Sequence, residues 1–337
     1  MKHQILLTCA FLFASPASAL EPLGDKTGFS GFVNLGVGAG QVESNFFAKI
    51  ADVGVDLGND TIDDLGSPES KDVVMPAVAL EVGYTFANKK TRIFAGNDFA
   101  DYLQFDRSTR FAIRHDFDRV GTVQLAYLNA AALATEVWSD PYLVGEERDS
   151  TDLEVSGARL TWDRMFGTKF ELKVSAVERD VDDEQSGLSQ PLTPEERQLL
   201  DRNGDQYRIE LGYLYLIGDR HALRPSVRYI DDDRDGAAMA QEGYAAELTY
   251  VYSSTKGMRW VTTGSYGEVD GDARNPIFNK RNDAKRYFLA STLFLKGRFG
   301  LDKWTTNIGV VIGSSDSDIT FNETNMWLVN VGLLRRF

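Results

Sequence analysis

The chain ends in NMWLVNVGLLRRF, residues 325–337. Trp327, Val329, Val331 and Leu333 are apolar, Phe337 closes the series, and Leu328, Asn330 and Gly332 lie between them. Side chains of a strand alternate between its two faces, so this pattern predicts a strand with one apolar face that runs to the last residue. Chain ends are ordinarily polar and frayed. This one ends as if its final side chain were held.

The same alternation recurs upstream. GFVNLGVGA sets Val33, Leu35 and Val37 against Asn34, Gly36 and Gly38. QYRIELGYLYL sets Tyr207, Ile209, Leu211 and Tyr213 against Arg208, Glu210 and Gly212. AVALEVGYTF, YAAELTYVY and WTTNIGVVI repeat it. A soluble sandwich turns such apolar faces inward. A membrane barrel turns them outward to lipid and keeps the small and charged faces inside. Connections that alternate between tight turns (NKK, IGDRH, SSTKG) and long polar loops favour the barrel. So do aromatics near the tight turns: Phe86, Phe117, Trp260, Trp304 and Phe337 are expected to form an interfacial girdle at one rim.

The fold expected is therefore all-β: a transmembrane antiparallel up-and-down β-barrel of about 14 strands, with long acidic outer loops. Strands are expected near 28–41, 76–87, 90–98, 107–117, 119–129, 151–164, 167–181, 205–218, 221–231, 240–254, 257–269, 284–297, 301–314 and 324–337. GNDFADYLQFDRS reads equally as strand, turn or short helix; losing that hairpin gives 12. TPEERQLLDRNGD carries a capping box, Thr193 to Glu196 with Pro194 between, and predicts one short loop helix stopped at Asn203-Gly204. Residues 43–72 form the longest gap. NFFAKIADVGV within it reads as an apolar helix that folds inward or lies over the rim.

At the other end, Lys2, an apolar run from Ile5 to Ala14 and Ala17-Ser18-Ala19 read as a secretory signal peptide over residues 1–19, leaving 20–337 as one barrel domain. The single cysteine, Cys9, falls in that leader. The expected location is the cell outer membrane, with both barrel ends periplasmic. Fifty acidic residues against 36 basic, net −14, argue against nucleic acid as a partner.

GFSGFVNLGVGAGQVESN (28–45), VWSDPYLVGEERDSTD (137–152) and LLDRNGD (199–205) together resemble DUF2860, a family of Gram-negative exported proteins of unknown function. The resemblance implies an outer-membrane barrel and transfers no catalytic residue.

Beyond the leader the chain has two histidines, His115 and His221, both beside tight turns. No nucleophile–base pair is evident, so no enzyme, cofactor or metal site is expected. IDDDRDG, DVDDE and SSDSD are read as solvated acidic outer loops whose carboxylates meet divalent cations of lipopolysaccharide; none fits a full calcium loop. The functional signal lies opposite the apolar faces. Arg92, Arg110, Arg114, Arg208, Arg224 and Arg228, with Glu81, Glu171, Glu210 and Glu247, are expected on the lumen side. The leading expectation is a monomeric passive channel for small hydrophilic solutes. The alternatives are a structural or surface barrel, and a transporter of hydrophobic molecules. Expected partners are outer-membrane lipid and lipopolysaccharide, the barrel assembly machinery through the C-terminal strand, and a small solute.

Overall fold

The computed structural model describes residues 27–50, 53–97, 109–129 and 135–337. They form a closed antiparallel barrel of 14 strands. The strands are β1 (Gly28–Ser44), β2 (Ser70–Pro76 continuing as Ala79–Thr85), β3 (Thr91–Asn97), β4 (Thr109–Asp116), β5 (Thr122–Asn129), β6 (Ser150–Asp163) and β7 (Phe170–Val181). They continue as β8 (Gly204–Tyr213 with Tyr215–Ile217), β9 (His221–Arg234), β10 (Gln241–Ser253), β11 (Met258–Gly271), β12 (Ala284–Lys296), β13 (Thr305–Ser317) and β14 (Thr324–Arg336). Each strand pairs with its sequence neighbours, and β14 returns to β1. Proline has no N–H to give the ladder, so Pro76 interrupts β2; yet Val37 faces Pro76 and Asn34 faces Ala79 in one unbroken register.

The seam answers the question posed by the last residue. Phe337 N donates to the Gly31 carbonyl and Gly31 N donates to the Phe337 carbonyl, both at 3.1 Å. Closure leaves no sheet edge, which the interior of a bilayer requires. Arg335, on the outer face, lays its guanidinium 5.7 Å from the Trp304 ring centroid, so the charge has an aromatic to rest on at the rim.

Strand parity divides the wall cleanly. Leu35, Val37, Leu125, Ile209, Leu248, Ile308, Val329 and Val331 are exposed on the convex face. Asn34, Gln124, Glu210, Arg224, Thr249 and Asn307 are buried on the concave face. Tyr244 and Tyr252, both outward on β10, lie eight residues apart, about 26 Å along the strand at ~3.3 Å per residue. That separation suits an apolar band about 25 Å tall once strand tilt is allowed for. No helix among the described residues is long and apolar enough to cross a membrane.

The tight turns and both ends of the barrel share one rim; the long loops share the other. Phe86, Phe117, Trp260 and Phe337 are exposed at the tight-turn rim, and Trp304 sits there half-buried. His115 accepts or donates at Thr91 Oγ1 (2.8 Å) and His221 at the Tyr250 hydroxyl (2.8 Å), on separate strands of that rim.

Several local expectations need correction. IDDDR belongs to β9, SSDS to β13 and the first two residues of DVDDE, Asp180 and Val181, to β7, because these strands extend further toward the long loops than their apolar pattern does. The loop helix, α1 (Pro194–Gln198), has the expected capping box: Thr193 Oγ1 accepts from Glu196 N at 3.2 Å, and Glu196 Oε2 accepts from Thr193 N at 2.8 Å. It ends at Leu199, however, before Asn203-Gly204. Within NFFAKIADVGV, Phe47–Ile50 is extended, not helical, and pairs with Glu136–Trp138 of another loop and with Val55–Asp56; Ala51 and Asp52 lie outside the described residues. Residues 98–108, which include most of the ambiguous GNDFADYLQFDRS, and the expected leader 1–19 lie outside the described residues.

Candidate functional site

The concave wall holds two charge clusters. In β7–β10, Arg224 is the hub. Its Nη2 donates to Glu171 Oε1 and to Glu210 Oε1, each at 2.6 Å, and its Nη1 lies 3.7 Å from Glu247. Arg228 Nη2 reaches Glu210 Oε2 at 2.8 Å and Glu247 Oε2 at 3.3 Å. Lys173 lies 3.5 Å from Glu171 and 3.8 Å from Glu210. Three carboxylates thus meet three cations. The centre is dry and the edge is wet: the Arg224 side chain is 1% exposed, Arg228 17% and Lys173 25%.

Backbone register explains how Arg224 fits. Gly212 lies between the partners on β8, facing Glu171 on β7 and Ser226 on β9. A Cβ at Gly212 would come within 2.6 Å of Arg224 Nη2 and 2.7 Å of its Cζ. Only a residue without a side chain leaves room for the guanidinium to lie flat on the wall. The second cluster repeats the device. Glu81 on β2 pairs with Arg92 on β3 at 3.1 Å and with Arg110 on β4 at 3.3 Å. A Cβ at Gly83 would meet Arg92 Nε at 2.6 Å. Arg92 and Arg110 also sit over the Phe94 ring, at 5.3 and 4.9 Å.

The sequence-selected residues Arg92, Arg110, Glu171, Arg224, Arg228, Glu210 and Glu247 are thus brought together in two groups. Arg114 is buried on β4, and Arg208 lies further along β8 toward the long loops, its Nη2 3.3 Å from Gln206 Oε1. Sequence reading passed over Lys173, Arg179, Arg234 and Arg286. All four have inward parity on their strands, which is the signal that marks them.

The long loops close over the lumen. Phe46 from the β1–β2 loop, Tyr142 from β5–β6, Leu200 from β7–β8, Ala238 from β9–β10, Phe278 from β11–β12 and Phe321 from β13–β14 pack in one apolar core. Tyr142 and Phe321 are fully buried and stack at 5.1 Å; Phe46 meets Phe321 edge-on at 5.7 Å. Among the described residues six loops therefore converge, as in the core of a small domain. Burial pushes the Tyr142 phenol up from its ordinary value.

Polar staples tie the loops together. Arg148 donates to the carbonyls of Asn45 (3.0 Å), Pro141 (3.1 Å) and Asn59, and stacks on Trp138 at 4.5 Å. Burial brings its guanidinium down to about 10. Asp140 accepts from Gly187 N at 2.9 Å and Ser189 N at 2.7 Å. Arg202 joins Glu184 at 2.7 Å and donates to the Ser139 carbonyl at 3.0 Å. Beneath this lid the first loop folds inward: Ile50 and Leu57 are fully buried against Val42, Val73, Met75 and Leu328 of the wall.

Among the described residues no group of His, Cys, Asp and Glu has the arrangement of a metal site. Chemically the inner wall offers charge pairs and hydrogen bonds.

Solved structures similar to this chain include the outer membrane channel DcaP of Acinetobacter baumannii, 11% identical over 92% of this chain and 98% of that one, with a TM-score of 0.45. A Pseudomonas aeruginosa FadL homologue is 9% identical over 95% and 92%, at 0.42. An anion-selective porin from Comamonas acidovorans is 9% identical over 93% and 100%, at 0.43. Likeness at this level carries no inference about what passes or binds. No curated protein matches the chain. One family, described as "Protein of unknown function (DUF2860)", matches residues 28–335, from the first residue of β1 to the penultimate residue of β14, and the chain belongs to that family.

Proposed function

We propose that this barrel is a passive outer-membrane channel for small hydrophilic solutes, with its outer mouth closed by the loop lid in the state described. The carrying observation is the graded exposure of the hub network. Its centre is dry, but Lys173 and Arg228 at its edge are open to solvent, as charges beside a hydrated path would be. Paired charges along a lumen select by size and sign. A barrel without an energy source of its own passes solutes down their gradient only.

On this reading the long loops face outward and both ends of the barrel face the periplasm. The convex acids Asp205, Glu242 and Glu268, each hydrogen-bonded to a tyrosine hydroxyl, would meet lipopolysaccharide through divalent cations. The Phe337 end would be the segment that the barrel assembly machinery engages.

A second reading, a non-transporting surface barrel, is favoured by the lid core itself, since an apolar core built from so many loops resists opening. Planar-bilayer recording of the refolded mature chain separates the two. Discrete conductance steps support the channel. Silence from the folded wild type and from an Arg148→Met lid variant alike overturns it in favour of the surface barrel.

A further inference from the structure

The strongest unassigned feature is a group of arginines at the lid end of the lumen, apart from the hub network. Arg179 on β7 and Arg234 on β9 both face Gly204 on β8 in register. Two guanidinium-bearing strands are thus separated by a residue with no side chain, about 10 Å apart at ~4.8 Å per strand. Arg208 points into the same region through Gln206. Arg286 reaches it from β12, three strands beyond β9, and donates to Gln241 Oε1. Gln206, Asp232 and Gln241 form one row across β8, β9 and β10, and the arginines converge on that row.

Charge balance distinguishes this cluster from the hub. Arg179 and Arg234 flank Gly204 in register, and Asp232 is the acid of the row on which these arginines converge. Arg234 already takes that acid, with Nε 2.9 Å from Oδ1 and Nη2 3.2 Å from Oδ2. The Arg179 side chain makes no hydrogen bond or ion pair among the described residues, and its Nε is buried. A guanidinium such as that of Arg179, set beside other cations whose nearest carboxylate is already held by Arg234, is repelled in a medium that screens poorly. Guanidinium groups present forked N–H donors that match the oxygens of phosphate and carboxylate.

We infer that Arg179, Arg234, Arg286 and Arg208 form a binding site for a small oxyanion, a phosphate or carboxylate group of the solute, directly beneath the lid. The inference rests on the channel reading for its role in passage, since it names the class of solute. The site is linked to the lid covalently and by hydrogen bonding: Arg234 Nη1 donates 2.6 Å to the carbonyl of Arg202, and the Arg202 side chain staples two lid loops.

The test is calorimetric titration of the refolded mature chain with inorganic phosphate and, separately, with citrate, alongside bilayer recording. Saturable binding that Arg179→Gln weakens about tenfold or more, equivalent to ~1.4 kcal/mol, supports the site, as does retention of binding in Arg179→Lys. Tighter binding of citrate than of phosphate would assign the carboxylate class, and the reverse the phosphate class. Should Arg179→Gln fail to fold, Arg286→Gln reads the same cluster. Absence of binding to the wild type, or equal binding by wild type, Arg179→Gln and Arg286→Gln, overturns the inference, even if the barrel conducts. Oxyanion binding by a barrel that never conducts, with or without its Arg148 staple, upholds the site and overturns the channel.

Discussion

Replacing Arg224 by Met tests whether the hub network is a structural core of the wall. The wild-type network holds Arg224, Arg228 and Lys173 against Glu171, Glu210 and Glu247. Arg224 touches two carboxylates at 2.6 Å and is 1% exposed. With charge centres ~4 Å apart, each contact is worth about 4 kcal/mol at an effective dielectric of ~20. Much of that sum is offset by the cost of stripping water from a guanidinium. Removing it, however, leaves carboxylates buried and under-compensated, and breaking a buried pair in this way costs about 3–5 kcal/mol. We therefore expect Arg224→Met to lose about 3–5 kcal/mol in urea titrations of the barrel in lipid vesicles, read by tryptophan fluorescence, with an unchanged slope. Arg224→Met with Glu210→Gln restores equal numbers of opposite charges, so it should be less destabilised than the two single losses added together, with a coupling of about 1–3 kcal/mol. A loss below about 1 kcal/mol for Arg224→Met, or strict additivity in the double variant, would refute the reasoning. It would mean that water reaches the hub.

Three further outcomes follow from particular contacts. Gly212→Ala should displace the Arg224 guanidinium and cost about 1–3 kcal/mol by overpacking, whereas Gly264→Ala, where the nearest atoms stand 3.9 Å from a new Cβ, should cost well under 1 kcal/mol in the same titration. Arg148→Met leaves an apolar side chain beside Trp138 but loses the cation–π contact and abandons three carbonyls in two loops, so limited proteolysis should cut the 45–69 and 139–149 segments faster while the barrel strands stay protected. Burial would raise the Glu136 carboxyl, but hydrogen bonds from Ser150 and Lys49 outweigh it and hold it below the ordinary glutamate value. Its contribution to pairing the two loop strands is therefore present above that ordinary value and is lost as pH falls through the lowered one; the protection of lid amides relative to their intrinsic exchange should fall over that acidic window and not in Glu136→Gln.

The wall was legible because a barrel strand carries its orientation in its parity. In LRPSVRYI the apolar Leu223, Val227 and Tyr229 take the odd positions, which leaves Arg224 and Arg228 facing inward on any register that keeps lipid and charge apart. The same rule places Glu210 and Glu171. Partners were not legible, because Glu171 and Arg224 are brought together across β8 by registers that no local pattern encodes. Arg234 escaped because the apolar signal of β9 fades at Asp231, while the ladder runs on for three more residues. The lid was the least legible part. Phe46, Tyr142, Leu200, Phe278 and Phe321 come singly from different loops, so no periodicity marks them. NFFAKI looked helical by composition, and its extended form depends on a partner strand, Glu136–Trp138, that lies some ninety residues away.

The distribution of charge gives the fold its functional direction. The chain is acidic overall, net −14, yet its lid-end lumen gathers Arg179, Arg208, Arg234 and Arg286 around Asp232. Acids stand on the other face of the same strand: Asp231 and Asp233 of β9 point outward, and Asp231 faces Glu242 of β10. Alternation along one strand, Asp231 out, Asp232 in, Asp233 out, Arg234 in, thus separates opposite charges across the thickness of a single sheet. An anion that approached from the loop side would meet repulsion from the rim and attraction only within the mouth. If the barrel is the channel proposed, entry would pass the lid, and the carbonyl of Arg202 that Arg234 holds belongs to a lid loop. An anion drawing Arg234 toward itself would pull against that contact, so occupancy of the arginine cluster and closure of the mouth compete for one guanidinium.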